Sequence, residues 1–303
     1  MSVNESSNTS SNSPQSSGSI PDPWYIVAGV IVVICLLGIP ANITVIIKLS
    51  RRLRGSSISQ RLFFNLAVSD LLCLLCLPFG MLIFYSGSHM TYGVCRLVFY
   101  FFFFCVSSDL NILVLIGLQR YYQILHPNKW AKLDRTWQRL LLFSVWMLAT
   151  LEAFPVVFSL TDIKKEWTST HSCSNHTITP FFEVVYIIFI VVSHLVLLSC
   201  YVLLVRGVNR AKMAKKKEPR ATKLFIRIIA VSLAVAFFPL ILRMLYVVAL
   251  FKDSEELLHV SKMLTFVECF YFFNHCLNPF LYFFASQYGN RDSSQKNNFL
   301  NDN

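Results

Sequence analysis

Hydrophobic residues are gathered into seven long, nearly continuous segments along the chain. These segments are residues 24–47, 62–85, 97–118, 140–160, 184–205, 228–251 and 263–284. Each is roughly 20 residues long, the length of a helix that crosses the hydrocarbon core of a bilayer. Transmembrane strands are excluded because the segments do not alternate between polar and apolar positions. The pattern predicts an all-α membrane protein: a seven-transmembrane helix bundle over residues 23–285, between an amino-terminal tail (1–22) and a short cytoplasmic tail (286–303).

The third segment carries polar residues along one face and is expected to lie at the centre of the bundle. As a helix, the chain from Cys95 to Arg120 is ~38 Å long, enough to span the bilayer core and part of both interfaces. At ~100° per residue, Phe102 and Asp109 fall on the same stripe as those two ends. A carboxylate inside a membrane span is costly and usually functional. The stripe is therefore predicted to face protein, with the other spans surrounding it.

Polar residues also interrupt the first, second and seventh segments. They are Asn42, Asp70, Asn274 and Asn278. Buried amides and carboxylates need polar partners, which they most easily find in one another. A single such residue could merely join two helices. Together with Asp109, these residues are predicted to form one buried, hydrated, ion-binding cluster.

Composition and charge support a membrane protein and give its orientation. Hydrophobic residues make up 55% of the chain and charged residues only 14%, which is typical of membrane proteins. Arginine and lysine are concentrated in the loops after the first, third and fifth segments, and such loops are usually cytoplasmic. The amino terminus is therefore predicted outside and the carboxyl terminus inside. The net charge of +11 reflects this bias, so nucleic-acid binding is not indicated.

The predicted outer side carries candidate glycosylation sites. Residues 1–22 are rich in serine and asparagine, so this tail is predicted to be disordered and extracellular. Acceptor patterns for N-glycosylation begin at Asn4, Asn8 and Asn175, all on that side. A fourth match at Asn42 lies inside a span and is discounted.

The cysteines indicate one external disulfide. Seven of the nine lie within spans, where they are most simply small buried hydrophobic residues. Only Cys95 and Cys173 are predicted to lie at the outer, oxidising face. Either they remain two free thiols or they form a bridge that joins the outer end of the third span to the following outer loop. The bridge is the favoured interpretation, because exposed free thiols are unusual in that compartment.

A series of motifs in chain order resembles the rhodopsin-like (class A) G-protein-coupled receptors. The motifs are Asn42, Asn65-Leu66-Ala67-x-x-Asp70, Cys95, Arg120-Tyr121, Trp146, Cys173, Tyr201, Pro239 and Asn278-Pro279-x-x-Tyr282. The resemblance covers about residues 24–285. It implies a plasma-membrane receptor with a ligand pocket in the outer half and a site for a heterotrimeric G protein in the inner half. Arrestin and membrane lipid are further partners that it implies.

The resemblance also implies roles for individual residues. Arg120 and Tyr201 would engage at the inner end, Tyr282 would rotate inward on activation, and the span that contains Pro239 would swing outward. The family's sodium site surrounds the position of Asp70, so Na⁺ is expected between Asp70 and Asp109. The alternative is that Asp109 is a neutral acid bonded to an asparagine.

Within the class, the chain looks most like chemoattractant receptors, and about as much like receptors for lipid mediators or nucleotides. Glu268 falls where chemokine receptors place a ligand-binding glutamate. Arg243 could pair with an anionic ligand, or could instead extend to the outer interface. We predict that Phe102, Arg243 and Glu268 line the ligand pocket. The chain lacks the second external disulfide of chemokine receptors, and its tail has few acidic residues.

Several positions depart from the family pattern in ways that affect the resting state. Gln119 replaces the usual acid before Arg120, and Pro219 stands where a second acid would restrain that arginine. Phe237 replaces the usual tryptophan two residues before Pro239. Further altered switch positions are Ser193, Leu110 and Leu233. These changes predict raised basal signalling, or else a decoy receptor that binds ligand without signalling.

Other functional classes fit the sequence less well. A retinal-binding photoreceptor would need a lysine where Phe272 stands. A channel or transporter is favoured only by Asp70 and Asp109. No enzyme is indicated, because His194 and His275 lie in spans without a catalytic partner pattern, and no phosphate-binding glycine loop is present.

Overall fold

The computed structural model describes ten stretches of the chain. They are residues 23–51, 58–85, 89–90, 92–126, 134–162, 171–172, 176–213, 220–252, 271–280 and 282. Both predicted tails lie outside these residues. So do several individual predictions, namely Asn4, Asn8, Cys173, Asn175, Pro219 and Glu268.

Long helices account for six of the predicted spans. They are α1 (Pro23–Ser50), α2 (Ile58–Tyr85), α3 (Tyr92–Leu125), α4 (Arg135–Ala153) continued by α5 (Pro155–Ser159), α6 (Pro180–Met213) and α7 (Arg220–Lys252). Within the described residues, six helical segments are long and apolar enough to cross a membrane. The seventh segment is described only in part, and there it is helical over residues 273–280, here named α8.

The helices extend beyond the apolar segments that predicted them. For example, α3 has 34 residues, whereas its apolar segment covers residues 97–118. Apolar length marks only the hydrocarbon core, while backbone hydrogen bonding continues through the polar interfaces. The break between α4 and α5 falls at Phe154, directly before Pro155, because proline lacks an amide hydrogen and crowds the preceding turn.

Two pairs of short antiparallel strands lie in the connections on the predicted outer side. The strand β1 (His89–Met90) pairs with β3 (His171–Ser172), and β2 (Leu160–Asp162) pairs with β4 (His176–Ile178). The sequence pattern does not predict these strands, because two or three residues carry no usable alternation. They leave the helical fold class unchanged.

The third helix lies at the centre of the bundle, as its polar stripe predicted. It packs against α2, α4, α5, α6 and α7. A large apolar core surrounds its inner half and includes Leu66, Leu113 and Leu204. A second core joins α1, α2 and α8 through Ile34, Leu74 and Cys276, among others.

The first, second and eighth helices approach each other closely at Gly38. A Cβ atom there would lie 2.6 Å from Leu74 Cδ1 and 2.7 Å from Cys276 Sγ, so no larger residue fits without movement. One turn later, Asn42 Nδ2 donates to the carbonyl oxygens of Gly38 (3.0 Å) and His275 (2.9 Å). The family motif residue Asn42 therefore joins α1 to the backbone of α8.

Two linked hydrogen bonds between α2 and α4 allow the packing of these helices to be tested. Trp146 Nε1 donates to Asn65 Oδ1 (2.9 Å), and Asn65 Nδ2 donates to the Arg61 carbonyl (2.7 Å). We expect Trp146→Phe to cost about 1 kcal/mol of unfolding free energy, because Asn65 loses its donor. Thermal unfolding in detergent measures this, with Trp137→Phe as the matched control, since Trp137 is 60% exposed on the same helix. Equal losses in both variants would contradict a role for the hydrogen bond.

Candidate functional site

The predicted intramembrane polar residues are all buried, but they do not make one continuous network. Asn278 Nδ2 donates to both oxygens of Asp70, at 3.1 and 3.3 Å. Asn274 Nδ2 lies 3.4 Å from Ser232 Oγ on α7. Asn42 bonds to backbone carbonyls instead. The centre of the site is therefore the Asp70–Asn278 pair, with the two other asparagines bonded to neighbouring helices.

A histidine that was not among the predicted members of the polar cluster joins this centre. His275 Nδ1 lies 2.7 Å from Asp70 Oδ1, and both side chains are fully buried. The two residues are 205 positions apart, so no local motif connects them. Helical spacing was the one indication in the sequence that His275 lies near Asp70. His275 is three residues before Asn278 and must share its face of α8.

Asp109 stands beside this pair without a hydrogen-bond donor among the described residues. Both of its carboxyl oxygens are buried, and the group lies within hydrogen-bonding reach of the Asp70 carboxyl. The neutral-acid alternative assigned it to Asn111 or Asn278, but Asn111 donates to Glu152 at 2.9 Å and Asn278 donates to Asp70. One ligand atom each from Asp70, Asp109 and His275 lie within 4.8 Å of one another. The arrangement can hold a cation.

The expected sodium ion fits this set only in part. The two carboxylates suit a cation, and Asn278 could add a further oxygen. However, two ionised carboxylates would exceed the single charge of Na⁺, and His275 presents an imidazole nitrogen instead of an oxygen. Sodium binding therefore stays a prediction.

A second charged site lies in the outer half, around Arg243. Its Nη1 donates to Glu183 Oε1 at 2.5 Å. The guanidinium carbon is 5.9 Å from the ring centroid of Phe103 and 5.8 Å from that of Tyr186. The Arg243 side chain is 21% exposed and that of Glu183 only 5%. This arginine faces an acid and two rings inside the protein, so it does not extend to the interface.

The sequence pattern did not indicate Glu183, and the phenylalanine beside Arg243 is Phe103, the residue after Phe102. Glu183 was overlooked because it precedes the apolar segment that begins at residue 184, yet α6 already includes it. Phe102 packs with Phe272, at a centroid distance of 6.2 Å, and a Cβ atom at Gly80 would overlap its ring. Consecutive residues of a helix differ by ~100° in rotation about its axis, so Phe102 and Phe103 face different neighbours.

At the inner end, Arg120 and Gln119 bond to different partners. Arg120 is 7% exposed, and its Nη1 donates to Gln123 Oε1 at 3.0 Å. Gln119 Nε2 donates to Ser59 Oγ on α2, at 2.8 Å. Gln119 thus bonds to α2, while Gln123, one turn after Arg120, accepts a hydrogen bond from the arginine.

The other predicted switch residues are spread over α3, α6, α7 and α8. Tyr201 and Tyr282 pack against the inner core, and the ring of Tyr282 is 5.6 Å from that of Phe63. Pro239 lies inside α7 and Pro279 inside α8, while Tyr121 contacts Tyr122. Phe237 is 59% exposed and its ring contacts Phe238, so it lies outside the buried cores. Ala236 and Pro239 occupy the buried face of α7 there.

Cys95 is buried and disulfide-bonded, and its partner lies outside the described residues. The strand pairing aligns Ser172, the neighbour of Cys173, with His89 shortly before α3 begins. The bridge to Cys173 stays a prediction. Non-reducing peptide mapping should find Cys95 and Cys173 in one cross-linked peptide, and a Cys95–Cys269 peptide or two free thiols would contradict it.

Comparison with known proteins establishes the family. Residues 41–282 match the family model described as 7 transmembrane receptor (rhodopsin family). The chain belongs to the rhodopsin family of seven-transmembrane receptors. It is therefore a multi-pass receptor of the plasma membrane and not an enzyme.

Individual relatives are similar at low identity. Proteinase-activated receptor 3 of Rattus norvegicus is 26% identical over 279 residues, covering 86% of this chain and 73% of that receptor. C5a anaphylatoxin chemotactic receptor 1 of Oncorhynchus mykiss is 25% identical over 262 residues, covering 82% and 73%. The uracil nucleotide/cysteinyl leukotriene receptor of Homo sapiens is 25% identical over 239 residues, covering 74% and 63%. The names of these relatives point to different kinds of ligand, so similarity does not select one for this receptor.

Proposed function

We propose that this receptor binds an extracellular ligand with an anionic group and activates a heterotrimeric G protein. The observation that carries this proposal is the Arg243–Glu183 pair between two aromatic rings in the outer half. A guanidinium can bind a carboxylate or phosphate through two parallel hydrogen bonds, and the flanking rings hold it in place. The more exposed side of the pair is the arginine, which is the side an anion would approach.

The ligand classes that fit are a chemoattractant peptide, an anionic lipid mediator and a nucleotide. Each carries a carboxylate or phosphate that can replace Glu183 at Arg243. Relatives named for an anaphylatoxin and for a uracil nucleotide and cysteinyl leukotriene are compatible with this range. The buried Glu183 then acts as the internal partner that holds Arg243 in the absence of ligand.

At the inner end, Arg120 supports the coupling to a G protein. It lies at the end of α3 against Gln123, where a modest rearrangement would expose it. In the proposed cycle, a ligand that separates α6 from α7 at the outer pair shifts α7 and opens the inner face. Arrestin would bind the same opened face.

A ligand panel with a G-protein dissociation readout tests this function. Anionic peptides, lipids and nucleotides are compared with neutral analogues on the wild-type receptor and on Arg243→Gln, with Arg243→Lys as the charge-preserving control. We expect activation by an anionic ligand, its loss in Arg243→Gln and partial retention in Arg243→Lys. Activation by a neutral analogue with equal potency would contradict the anionic ligand. Saturable binding without G-protein dissociation would indicate a decoy receptor.

A further inference from the structure

An open groove runs between α3 and α6 on the outside of the helix bundle. Its volume is about 320 Å³, and it is lined by Leu118 and Tyr121 on α3 and by residues of α6 between Val192 and Leu203. We propose that this groove binds one acyl chain of an anionic phospholipid from the cytoplasmic leaflet, whose headgroup meets Arg206.

The groove opens toward the membrane and not toward the interior of the bundle. Val192 and Leu195 are more than half exposed, and Leu118 and Leu203 are more than a third exposed. All four belong to helical segments that are long and apolar enough to span a bilayer, over residues 93–123 and 180–207. Exposed apolar side chains at this depth contact hydrocarbon, so the groove suits a lipid chain.

A close approach of the two helices forms the floor of the groove. A Cβ atom at Gly117 would lie 3.3 Å from Cys200 Cβ, so α3 and α6 touch at this point. Ser199 lies next to Cys200 on the groove wall, and its hydroxyl donates to the Leu195 carbonyl of its own helix at 2.8 Å. The hydroxyl hydrogen of Ser199 is therefore already bonded. The small side chains of Ser199 and Cys200 leave the space that a chain can enter.

The length of the groove matches one leaflet. From Val192 to Leu203 the helix rises ~16 Å, at ~1.5 Å per residue. The hydrocarbon core is ~30 Å thick, so one leaflet contributes about half of it. The groove ends near the inner end of both spans, beside the basic loop that follows the fifth apolar segment. The chain that fits it therefore belongs to the cytoplasmic leaflet.

The charge at the inner end of the groove selects the headgroup. Arg206 is exposed and follows Leu203 by three residues, so it continues the same face of α6. Tyr121 lies at that end on α3, and tyrosine is favoured at the headgroup level of a membrane. An arginine beside a span attracts the anionic lipids of the cytoplasmic leaflet. A sterol or a zwitterionic lipid has no net charge and would not gain this attraction.

A lipid in the groove would contact α3 directly beside Arg120. Leu118 and Tyr121 flank Gln119 and Arg120 in the chain, and they line the groove while those two polar residues are buried. A ligand that fits one spacing of two helices shifts the population toward that spacing. The bound lipid would therefore stabilise the packing of α3 on α6, at a place distinct from the outer pair of Arg243 and Glu183.

Photo-crosslinking of the full-length receptor in phosphatidylcholine nanodiscs tests the site. The probe is phosphatidylserine with a diazirine on one acyl chain, added as a minor component, and the cross-linked peptides are mapped by mass spectrometry. We expect adducts within residues 117–122 and 192–203. A phosphatidylcholine probe with the same diazirine chain should label these residues about fivefold less, because it lacks the attraction to one arginine.

One pair of variants tests the groove itself. Ser199→Phe places a ring in the groove from a lipid-facing position, and it should abolish the labelling. Phosphatidylserine in the nanodisc should raise the unfolding midpoint of the wild type but not that of Ser199→Phe. Ser144→Phe is the matched control, because Ser144 is an exposed serine on α4 whose hydroxyl likewise bonds to its own helix, at the Leu141 carbonyl. It should keep both the labelling and the shift.

A second pair of variants tests the headgroup contact. Arg206→Gln should lower labelling by the phosphatidylserine probe about fivefold and leave labelling by the phosphatidylcholine probe unchanged. Arg51→Gln is the control, since Arg51 is also exposed but follows α1, away from the groove. It should change the labelling by neither probe.

Three outcomes would overturn the proposal. Equal labelling by the two probes would show bulk lipid only, and unchanged labelling in Ser199→Phe would show that the groove holds no chain. Displacement of the probe by cholesterol, but not by unlabelled phosphatidylserine, would assign the groove to a sterol. The comparison of the two probes on the wild type decides the matter even where a variant does not fold. Cross-linking does not depend on signalling, so it tests the lipid site separately from the proposed receptor function.

Discussion

Replacing Arg243 with glutamine is expected to lower the stability of the receptor by about 3 kcal/mol or more, which is the largest effect we predict. Glu183 is only 5% exposed, and the substitution leaves its charge without the partner 2.5 Å away. Removing one member of a buried ion pair typically costs ~3–5 kcal/mol. The unfolding midpoint in detergent should fall by ~6 °C or more for a protein of this size.

Replacing Glu183 with glutamine is expected to strengthen ligand binding, whereas replacing Arg243 with glutamine is expected to weaken it. Arg243 then no longer has to release the Glu183 carboxylate, so an anionic ligand does not compete with that side chain. We expect tighter ligand binding in Glu183→Gln together with reduced stability of the free receptor. In Arg243→Gln, binding should weaken by on the order of 2–5 kcal/mol, as for truncation of a buried charge that meets a ligand.

The double variant Arg243→Gln/Glu183→Gln distinguishes the interaction energy of the ion pair from the contributions of its surroundings. It should be more stable than Arg243→Gln alone, because no unpaired charge remains, and the difference gives the coupling energy. Lys252→Gln is the matched control, since Lys252 lies exposed at the end of the same helix. Additive losses in the double variant, or unchanged ligand affinity in both single variants, would contradict the proposed ligand site.

The spans and the family could be predicted from the sequence because both depend on local patterns. Continuous apolar length located the helices, and the motif from Asn278 to Tyr282 needs no tertiary information. The polar stripe of α3 likewise placed that helix at the centre, since a carboxylate at Asp109 has no other acceptable environment.

Partners across helices could not be predicted, because they depend on rotations that the pattern does not determine. Glu183 and Arg243 are 60 residues apart, and Asp70 and His275 are 205 apart. At ~100° per residue, a shift of one position gives a side chain another neighbour: Phe102 packs with Phe272, while Phe103 lies beside Arg243. Apolar residues at Ala236 and Phe237 are equally acceptable in lipid or in protein, so the pattern could not decide which of them is buried.

The second large effect concerns signalling without ligand. Gln119 offers no charge to Arg120, and it donates to Ser59 Oγ instead. Arg120 donates to the neutral Gln123, and a hydrogen bond to a neutral acceptor is roughly half as strong as one to a carboxylate. A loss of about 1–2 kcal/mol from the inactive form raises the active fraction ~5- to 30-fold. We therefore expect basal G-protein activation above that of relatives that carry the acid.

Gln119→Asp should restore the restraint. An aspartate there can accept from Ser59 and can offer a carboxylate to Arg120, so basal output should fall ~5- to 30-fold at equal surface expression. Gln119→Asn is the matched control, because it has the length of aspartate without the charge, and it should leave basal output high. If wild-type output equals that of receptor-free membranes and neither substitution changes it, the raised basal activity is contradicted. That outcome would favour the decoy interpretation, in which the altered positions Ser193, Leu110 and Leu233 no longer transmit ligand binding to the inner face.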